Sequence, residues 1–302
     1  MRLVVALGGN ALLHRGERPE ASAQSARLAA VAPALARLAD AHELVLVHGN
    51  GPQVGLLARE SAEDPVLGAP YPLGLLSAAT QGMIGSLLQV ALRSAGTTRP
   101  VSTLITHVLV DPEDPEMHRP EKLIGAVYDE RRARALAKTH GWSIAADGGG
   151  WRRVVPSPRP RRILELDDAR TLLGAGRTVI LGGGGGVPVI EDAGGLRTID
   201  AVIDKDRTAA LIAQQLDAEL LAILTDVPGV IADYGSPEAT VLPELTPAAA
   251  TALDLPSGSM GPKVEAASEF ALATGRSAVI GPLEHAEDVV AGILGTRIRS
   301  RP

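Results

Sequence analysis

Glycine-rich turns that directly follow short aliphatic runs constrain the fold of this chain more than any other feature. Leu3–Leu7 leads into Gly8-Gly9-Asn10, Glu43–His48 leads into Gly49-Asn50-Gly51, and Thr178–Leu181 leads into the five glycines Gly182–Gly186. Helical Ala- and Leu-rich segments, Ser22–Ala39 and Leu73–Ala95, follow the first two turns. Strand, glycine turn and helix in alternation predict right-handed βαβ units on a parallel sheet.

The composition supports an α/β fold with a buried sheet. The 302 residues are 45% hydrophobic, but only 2% are aromatic and Phe270 is the single phenylalanine. The core must therefore consist mainly of Ala, Val, Leu and Ile. Such residues are typical of parallel strands that are covered on both faces and read as continuous aliphatic runs.

The middle of the chain interrupts the alternation. Residues Asp111–Arg162 contain clustered prolines and a run of three glycines, with one helix predicted at Asp129–His140. We interpret this excursion as a small protruding subdomain, because long surface excursions of compact enzymes often serve as lids or binding arms. We divide the chain into an N-terminal lobe, residues 1–173, and a C-terminal lobe, residues 174–302.

Further elements are predicted on either side of the excursion. They are a strand at Val101–Val110, a hairpin of Val187–Ile190 with Arg197–Ile203, helices at Arg207–Leu216 and Lys263–Ala273, and strands at Leu220–Leu224 and Ser277–Ile280.

Charge and cysteine content exclude several classes of function. The formal net charge is −6, which disfavours broad binding to nucleic acids or anionic membranes. The chain has no cysteine, so disulfides, thiolate zinc sites and a cysteine nucleophile are excluded. The first apolar run is too short for a signal-peptide core, and no apolar run reaches about 20 residues. We expect a cytoplasmic protein with no nucleic-acid or membrane partner.

The glycine turns predict an anion site. In open α/β sheets, ligands bind beyond the carboxyl ends of the strands, where glycine lets backbone N–H groups approach closely. A following helix adds partial positive charge that suits phosphate. The sequence contains no GxxxxGK[ST], GxGxxG or GxSxG, which argues against a P-loop ATPase, an ordinary dinucleotide site and a serine hydrolase.

The few lysines are candidates for phosphate charges. Phosphoryl transfer depends on positive charge placed on the transferring oxygens. The chain has four lysines among many arginines, and Lys205 and Lys263 each lie near the start of a predicted helix. Lys122 is the weakest candidate by chemistry alone, and we expect Lys138 to be a solvated surface residue. His48 ends a strand, and a structural role fits it at least as well as a catalytic one.

Segments along nearly the whole chain resemble the carbamate kinases of the amino acid kinase family. They are, in order, VVALGGNAL, HGNGPQVG, AATQGMIG, VDPEDPE, RPEKLIG, GWRRVVPSPRP, GGGGGVPV, AVIDKD, LTDV and GSMGPKVEAA. The resemblance implies a three-layer αβα sandwich with a central, mainly parallel sheet and a small protruding subdomain at about residues 111–162. It also implies a homodimer and a reversible phosphoryl transfer between ATP and carbamate, usually in the direction of ATP.

The resemblance also implies roles for individual residues. Lys122, Lys205, Asp206 and Lys263 would be catalytic, with Asp206 orienting Lys205 and Lys263. The substrate-binding residues would be Gly8, Gly9, Asn10, Gly49, Asn50 and Gly51. The nucleotide-binding residues would be Gly183, Gly184, Thr225, Asp226, Val227, Tyr234, Met260, Gly261 and Pro262. We expect Mg²⁺ only as a companion of ATP or ADP, held largely by phosphates and water, and no dedicated metal site.

Three positions depart from the pattern of that family. Gly149 stands where an arginine is frequent, Arg207 where an apolar residue is usual, and Ser86 where an aromatic residue often occurs. Two alternatives therefore stay open. One is a kinase of the same fold for a different small carboxylate, phosphonate or phosphate acceptor, and the other is a nucleotide-sensing protein without catalysis.

Overall fold

A computed structural model describes residues 1–8, 20–253, 255 and 259–300. The strands are β1 (Arg2–Leu7), β2 (Glu43–His48), β3 (Val101–Thr103), β4 (His107–Val110), β5 (Lys122–Tyr128), β6 (Ser143–Asp147), β7 (Gly150–Val155), β8 (Pro160–Ile163), β9 (Thr178–Ile180), β10 (Val187–Asp192), β11 (Gly195–Thr198), β12 (Leu220–Thr225), β13 (Ile231–Ala232), β14 (Thr240–Val241), β15 (Glu244–Leu245), β16 (Ser277–Pro282) and β17 (Thr296–Ile298). The α-helices are α1 (Ala21–Ala41), α2 (Gly51–Glu63), α3 (Leu73–Ser94), α4 (Glu130–His140), α5 (Leu166–Gly174), α6 (Lys205–Gln215), α7 (Pro247–Thr251), α8 (Met260–Thr274) and α9 (Ala286–Ala291).

An eight-stranded sheet forms the centre of the molecule, in the order β15-β17-β16-β12-β1-β2-β9-β3. The five strands from β16 to β9 are parallel to their neighbours within that set. Strand β17 is antiparallel to β16. The chain moves from β1 to β2 on one side and later returns to place β12 on the other side of β1. The predicted α/β fold with a mainly parallel central sheet is therefore confirmed.

Alternating strand residues supply two separate apolar cores. On β1, Val4 and Ala6 pack with residues of α5, α6 and α8, whereas Leu3, Val5 and Leu7 pack with residues of α1, α3 and α9. Both sets are fully buried, as expected for strands that are covered on both faces. The architecture is a three-layer αβα sandwich.

The segment Val101–Val110 is not one strand, and this prediction was wrong. Its first part, β3, belongs to the central sheet, and its second part, β4, pairs with β8 and β10 in a four-stranded sheet of order β11-β10-β4-β8. Between the two parts, the Gln81 side chain accepts a hydrogen bond from Thr106 N at 2.8 Å and donates one to Thr106 O at 3.3 Å. These bonds hold Thr106 where the chain changes sheets, and Thr106 O also accepts a hydrogen bond from Val187 N of β10 at 2.8 Å. The hairpin predicted around residues 187–203 is present as β10 and β11.

The excursion contains more regular structure than the single predicted helix. In addition to α4, it forms a three-stranded antiparallel sheet of order β5-β7-β6. Ile124 and Val155 of this sheet pack with Val54 of α2 and with Leu73 and Leu76 of α3. This small core attaches the excursion above the start of α2. Helix α2 was also missed in the sequence, although Pro52 at its second position is a common signal for a helix start.

Helix α3 is apolar and long enough to cross a membrane by length and composition, and it is the one such helix within the described residues. Its Ile84, Leu88 and Leu92 are buried in the core with α1 and the central sheet. One face of α3 therefore serves as part of a core, and the opposite face is exposed.

Candidate active site

Four adjacent strands of the central sheet, β12, β1, β2 and β9, end at the same edge. Leu7 lies beside His48 on one side and beside Leu224 on the other. Gly8 N then donates to Leu224 O at 2.9 Å, and Gly49 N donates to Leu7 O at 3.3 Å. A Cβ at Gly8 would lie 3.0 Å from Leu224 O and 3.7 Å from the Cα of Thr225. The first two glycine turns and the Thr225 end of β12 are thus in direct contact, while Gly9 and Asn10 lie outside the described residues.

The second glycine turn is built from buried, uncharged polar groups. Asn50 precedes α2, and its Nδ2 donates to Thr80 Oγ1 of α3 at 2.9 Å. The His48 ring lies at the end of β2, with Nδ1 2.9 Å from Gly49 O. Burial is the main cause that lowers the pKa of His48, the Gly49 hydrogen bond opposes it, and the charge of Lys205 adds to the lowering, so that the pKa is about 4. His48 is therefore neutral near pH 7.

The five-glycine run packs against this second turn. A Cβ at Gly183 would lie 2.4 Å from His48 Nε2, and a Cβ at Gly184 would lie 2.1 Å from Asn50 Nδ2. Gly184 also has φ +65°, a conformation that glycine adopts without steric cost. The structure thus places Gly183 and Gly184, which the family resemblance assigns to the nucleotide, beside His48 and Asn50. Their glycine identity is required by close packing, whatever ligand the turn contacts.

A charged cluster forms where the N-termini of α6 and α8 converge. Asp206 accepts from Lys205 Nζ at 2.5 Å and from Lys263 Nζ at 3.0 Å. The side chain of Asp206 is 4% exposed, and those of the two lysines are 12% and 14% exposed. The cluster carries two positive charges and one negative charge at two helix N-termini, so it is suited to attract a phosphate group.

Burial and charge have opposite effects on the pKa values of this cluster. Burial raises the pKa of Asp206, but the ammonium groups of Lys205 and Lys263 outweigh it and lower that pKa to about 2. Burial lowers the pKa of Lys205, and the charge of Lys263 adds to this effect, while Asp206 opposes it. The structure therefore brings Lys205, Asp206 and Lys263 together as an ionic triad.

Lys122 reaches the same place from the protruding subdomain. It is the first residue of β5, and its Nζ donates to Asp204 Oδ2 at 3.0 Å. Asp204 is the N-cap of α6, and its Oδ1 accepts from Asp206 N at 2.9 Å. Burial and the charge of Asp206 raise the pKa of Asp204, but Lys122 and Lys205 together outweigh them and lower it. Asp204 was not among the predicted site residues, although it lies within the IDKD segment that drew attention to Lys205.

The remaining residues predicted to bind the nucleotide lie in three segments, at the end of β12, after β13 and at the start of α8. Thr225 ends β12, its hydroxyl donates to Asp226 Oδ1 at 3.1 Å, and Val227 follows. Met260, Gly261 and Pro262 form the first turn of α8, which starts three residues before the predicted Lys263. Tyr234 lies after β13 and is 73% exposed. Gly51 opens α2 and is exposed.

Sequence reasoning missed Thr80 and Gln81. Both are buried polar residues of α3 that hold the backbone and side chains around the second turn. Both lie within the AATQGMIG segment, which contributed to the family resemblance but received no role in the site. Neither residue stands out in the sequence, because α3 also contains Ser77, Ser86, Gln89 and Arg93.

A cavity of about 540 Å³ lies away from the lysine triad, beside Arg159, Arg207 and Glu269. These three side chains take part in ion pairs. Arg207 binds Glu116 at 2.8 Å and Glu265 at 3.2 Å, and Arg159 binds Glu265 at 2.7 Å and Glu269 at 2.5 Å. We refer to these five residues, Glu116, Arg159, Arg207, Glu265 and Glu269, as the ionic network. It joins the base of the excursion to α6 and α8.

The other two departures from the family pattern lie away from the site. Gly149 is in the turn between β6 and β7, and Ser86 is exposed on α3. Among the described residues, no group of three or more His, Cys, Asp or Glu side chains could hold a metal ion.

Comparisons with known proteins agree with this geometry. The model of the amino acid kinase family matches residues 1–281. The carbamate kinase of Escherichia coli O6:H1 is 47% identical over 296 residues, covering 98% of each chain. That of Haemophilus influenzae is 46% identical over 303 residues, covering 100% of this chain and 97% of the relative. The solved structure of the carbamate kinase from Giardia lamblia bound to AMP-PNP is 36% identical, has a TM-score of 0.91, and covers 99% of this chain and 98% of that one.

Proposed function

Because this chain belongs to the amino acid kinase family, we propose that it is a carbamate kinase, which transfers a phosphoryl group between ATP and carbamate to interconvert them with ADP and carbamoyl phosphate. The observation that carries this proposal is the ionic triad of Lys205, Asp206 and Lys263 beside three glycine turns at one edge of the sheet. The physiological direction is toward ATP, because carbamoyl phosphate is a reactive mixed anhydride and a strong phosphoryl donor.

The triad is the charged part of the catalytic machinery. In phosphoryl transfer, negative charge spreads over the equatorial oxygens of the transferring group, and preorganised positive charge stabilises it. Lys205 and Lys263 supply that charge, and Asp206 holds both ammonium groups in place when no phosphate is bound. Since the two lysines come from different helices, Asp206 also fixes their spacing.

The first two glycine turns bind the acceptor and the transferring group. Gly8, Gly9 and Asn10 follow β1, and Gly49, Asn50 and Gly51 follow the adjacent β2. Asn50, Gly184 and Val202 line a small cavity of about 10 Å³, with room for about one water molecule. A carbamate ion, with four non-hydrogen atoms, is larger than this space, so the acceptor is bound by the turns outside the cavity.

Lys122 completes the site from the protruding subdomain. Its bond to Asp204 holds the arm close to the start of α6, and the ammonium group can exchange Asp204 for a substrate oxygen without a large movement. We expect Lys122→Ala to lower kcat/KM for carbamoyl phosphate by about 10- to 100-fold, as for loss of one charged contact. Lys138→Ala is the matched control, because Lys138 is exposed on α4 of the same arm, and it should leave the rate unchanged in the same assay.

The nucleotide lies on the C-terminal side, along Thr225, Asp226, Val227, Tyr234 and the first turn of α8 at Met260, Gly261 and Pro262. Gly183 and Gly184 contribute the backbone at the border between nucleotide and acceptor, since they contact the second turn. Asp204 and Asp206 are bound to lysines, so these carboxylates do not form a free metal site. Mg²⁺ would therefore be held largely by the nucleotide phosphates and by water, and it would neutralise part of their charge.

Helix α3 provides a surface for a homodimer. Leu75, Met83 and Val90 lie on one face of α3 and are 56%, 48% and 62% exposed. A row of large apolar side chains on a helix that is otherwise packed in the core indicates an interface with a second copy of this chain. Light scattering of the wild type and of Val90→Glu tests this, and an unchanged dimer mass in the variant would place the interface elsewhere. We propose a cytoplasmic location and no membrane or nucleic-acid partner, which fits the net charge of −6.

The decisive experiment is a coupled assay for ATP from carbamoyl phosphate and MgADP. ATP formation that depends on both substrates supports the proposal. A folded sample that forms no ATP rejects it, and a panel of small carboxylate, phosphonate and phosphate acceptors with ATP then tests for a different kinase. Tight ATP binding without turnover on any acceptor would identify a nucleotide-sensing protein.

A further inference from the structure

We infer that Thr80 is a positioning residue that fixes the orientation of the Asn50 amide toward the acceptor. The inference rests on the proposed function, because it assigns the remaining polar atoms of that amide to carbamate or carbamoyl phosphate. Thr80 lies on α3, which contributes none of the proposed catalytic residues, and its side chain is fully buried.

The hydrogen bonds of Thr80 determine which end of the Asn50 amide faces it. Thr80 Oγ1 lies 2.8 Å from Ser77 O and 2.9 Å from Asn50 Nδ2. A hydroxyl group has one hydrogen to donate, and a carbonyl oxygen can only accept. The Thr80 hydrogen therefore goes to Ser77 O, and its oxygen must accept a hydrogen bond. The NH₂ end of the Asn50 amide donates that bond, whereas a rotated amide would place Oδ1 there and take the Thr80 hydrogen away from Ser77 O.

The five-glycine run holds the amide from another side. A Cβ at Gly184 would lie 2.1 Å from Asn50 Nδ2, 2.3 Å from Cγ and 2.6 Å from Oδ1, so the whole amide group lies over the Cα of Gly184. Ser77 Oγ also donates to Gly186 O at 3.4 Å, which links the same helix to the end of the run. Three segments that are far apart in sequence thus meet at one amide group.

This arrangement presents a defined pair of polar atoms to a ligand. With one N–H directed to Thr80, the amide retains Oδ1 as an acceptor and its second N–H as a donor. A carbamoyl group has an amino group beside an oxygen in one plane, so it can donate to Oδ1 and accept from the second N–H. A rotated amide would exchange donor and acceptor and oppose like groups to each other.

The test compares two substitutions that separate hydrogen bonding from packing. Thr80→Val keeps the shape and removes the hydroxyl group, whereas Thr80→Ser keeps the hydroxyl group and removes a buried methyl group. We expect Thr80→Val to raise KM for carbamoyl phosphate about 10-fold or more, as for loss of one hydrogen bond, with KM for ADP within about twofold of wild type. Thr80→Ser should stay within about threefold for both substrates. A packing role predicts the reverse order, with Ser worse than Val, and that result overturns the inference.

A double-mutant cycle identifies Asn50 as the group through which Thr80 acts. In the Asn50→Ala background, Thr80→Val should change KM for carbamoyl phosphate by no more than about twofold. An undiminished effect of Thr80→Val in that background overturns the inference, because Thr80 would then act without Asn50.

A measurement without turnover separates failure of this inference from failure of the proposed function. The ¹⁵N resonance of the Asn50 side-chain amide can be assigned by its loss in Asn50→Ala. Its hydrogen exchange should be protected in wild type and Thr80→Ser and fast in Thr80→Val. If wild type forms no ATP from carbamoyl phosphate, the proposed function fails, and the exchange rates still decide whether Thr80 holds Asn50. Equal protection in all three proteins overturns the inference.

Discussion

The two halves of the candidate site use different kinds of polar group. The half around β2 contains His48, Asn50 and Thr80, which are buried and uncharged. Asn50 donates a hydrogen bond to Thr80, and the His48 ring contacts the Gly49 carbonyl oxygen. The half around α6 and α8 contains Lys205, Asp206 and Lys263, which are held together by charge. The difference indicates a division of labour, in which the charged half binds phosphate and the neutral half fixes the shape and orientation of a small acceptor.

The border between the halves explains why the neutral half stays neutral. Lys205 lowers the pKa of His48 in addition to the larger effect of burial, so a second positive charge beside the triad is disfavoured. The charge of Lys205 therefore couples the two halves. Among the described residues, no hydrogen bond joins His48 to Lys205.

Loss of a triad lysine should have the largest effect of the changes considered. Lys205→Met removes positive charge from the transferring phosphoryl group, and we expect kcat for ATP formation to fall about 10³-fold, by analogy with loss of one preorganised donor. The fold should persist, because Asp206 retains Lys263 at 3.0 Å. A coupled assay measures the loss, and Lys138→Met is the exposed control. Retention of more than about a tenth of the wild-type kcat would remove Lys205 from the catalytic group.

Gly184→Ala should have the second largest effect, and it acts on the neutral half of the site. Gly184→Ala introduces a Cβ where the Asn50 amide lies and forces alanine to φ +65°. We expect a loss of roughly 2–5 kcal/mol in unfolding free energy, from backbone strain and overpacking together, and a rise in KM for carbamoyl phosphate. Urea unfolding and steady-state kinetics measure the two effects.

Gly96→Ala is the matched control for that substitution. Gly96 has φ +86°, but a Cβ there meets no atom within 4 Å. Gly96→Ala should lower the unfolding free energy by about 1 kcal/mol through backbone strain alone, without a change in KM. If both variants lose the same stability and keep the wild-type KM, the contact between Gly184 and Asn50 does not contribute to substrate binding.

The unfolding free energy should fall in acid because of the buried, neutral His48. Its pKa is about 6.5 in an unfolded chain and about 4 in the fold, so between these values the unfolded state binds a proton that the folded state does not. Stability attributable to His48 is therefore complete above about pH 6.5 and falls as the pH drops toward 4, by about 3 kcal/mol. Urea unfolding across this range should show a steeper loss for wild type than for His48→Gln. Parallel pH profiles would mean that His48 binds a proton in the fold as readily as in the unfolded chain.

The sequence predicted the two halves unequally well. The parallel α/β sheet follows from aliphatic runs and glycine turns, because those patterns are local and each run is buried on both faces, whereas the three-layer αβα sandwich came from the family resemblance. Lys205 and Lys263 were also identifiable from sequence, since lysine is scarce and each lies near a helix start. The pairing of both with Asp206 came only from the family resemblance, because it depends on how α6 and α8 pack.

The neutral half depends on contacts between distant segments. Thr80 and Asn50 are separated by 30 residues, and nothing in the local pattern of α3 shows that Thr80 faces the second turn. The break between β3 and β4 was missed for the same reason, because Gln81 of α3 binds the backbone of Thr106. Hydrogen bonds from a helix to a neighbouring loop leave no periodic signal in either segment.

Arg207 should have the smallest effect, and it tests whether the ionic network belongs to the charged half of the site. Burial lowers the pKa of Arg207, but Glu116 and Glu265 together raise it above its usual value, so the guanidinium group stays charged. No described residue accepts a hydrogen bond from the buried Nε–H of Arg207, and this offsets part of the stabilisation that its ion pairs provide. Glu116 and Glu265 are more than one-third exposed, so we expect Arg207→Leu to lower the unfolding free energy by only about 1 kcal/mol. The unfolding free energy of the variant should also depend less on salt concentration than that of wild type.

The same variant should keep KM for both substrates within about threefold of wild type. Arg159 still binds Glu265 and Glu269, so the base of the excursion stays attached to α8, and Lys122 remains bound to Asp204. Steady-state kinetics at low and high salt measure this. A large fall in kcat would contradict the division into halves as stated, because it would show that the spacing of Lys205 and Lys263 depends on the network as well as on Asp206. An unchanged kcat would limit the charged half to the triad and make Arg207 a local tie between the excursion and two helices.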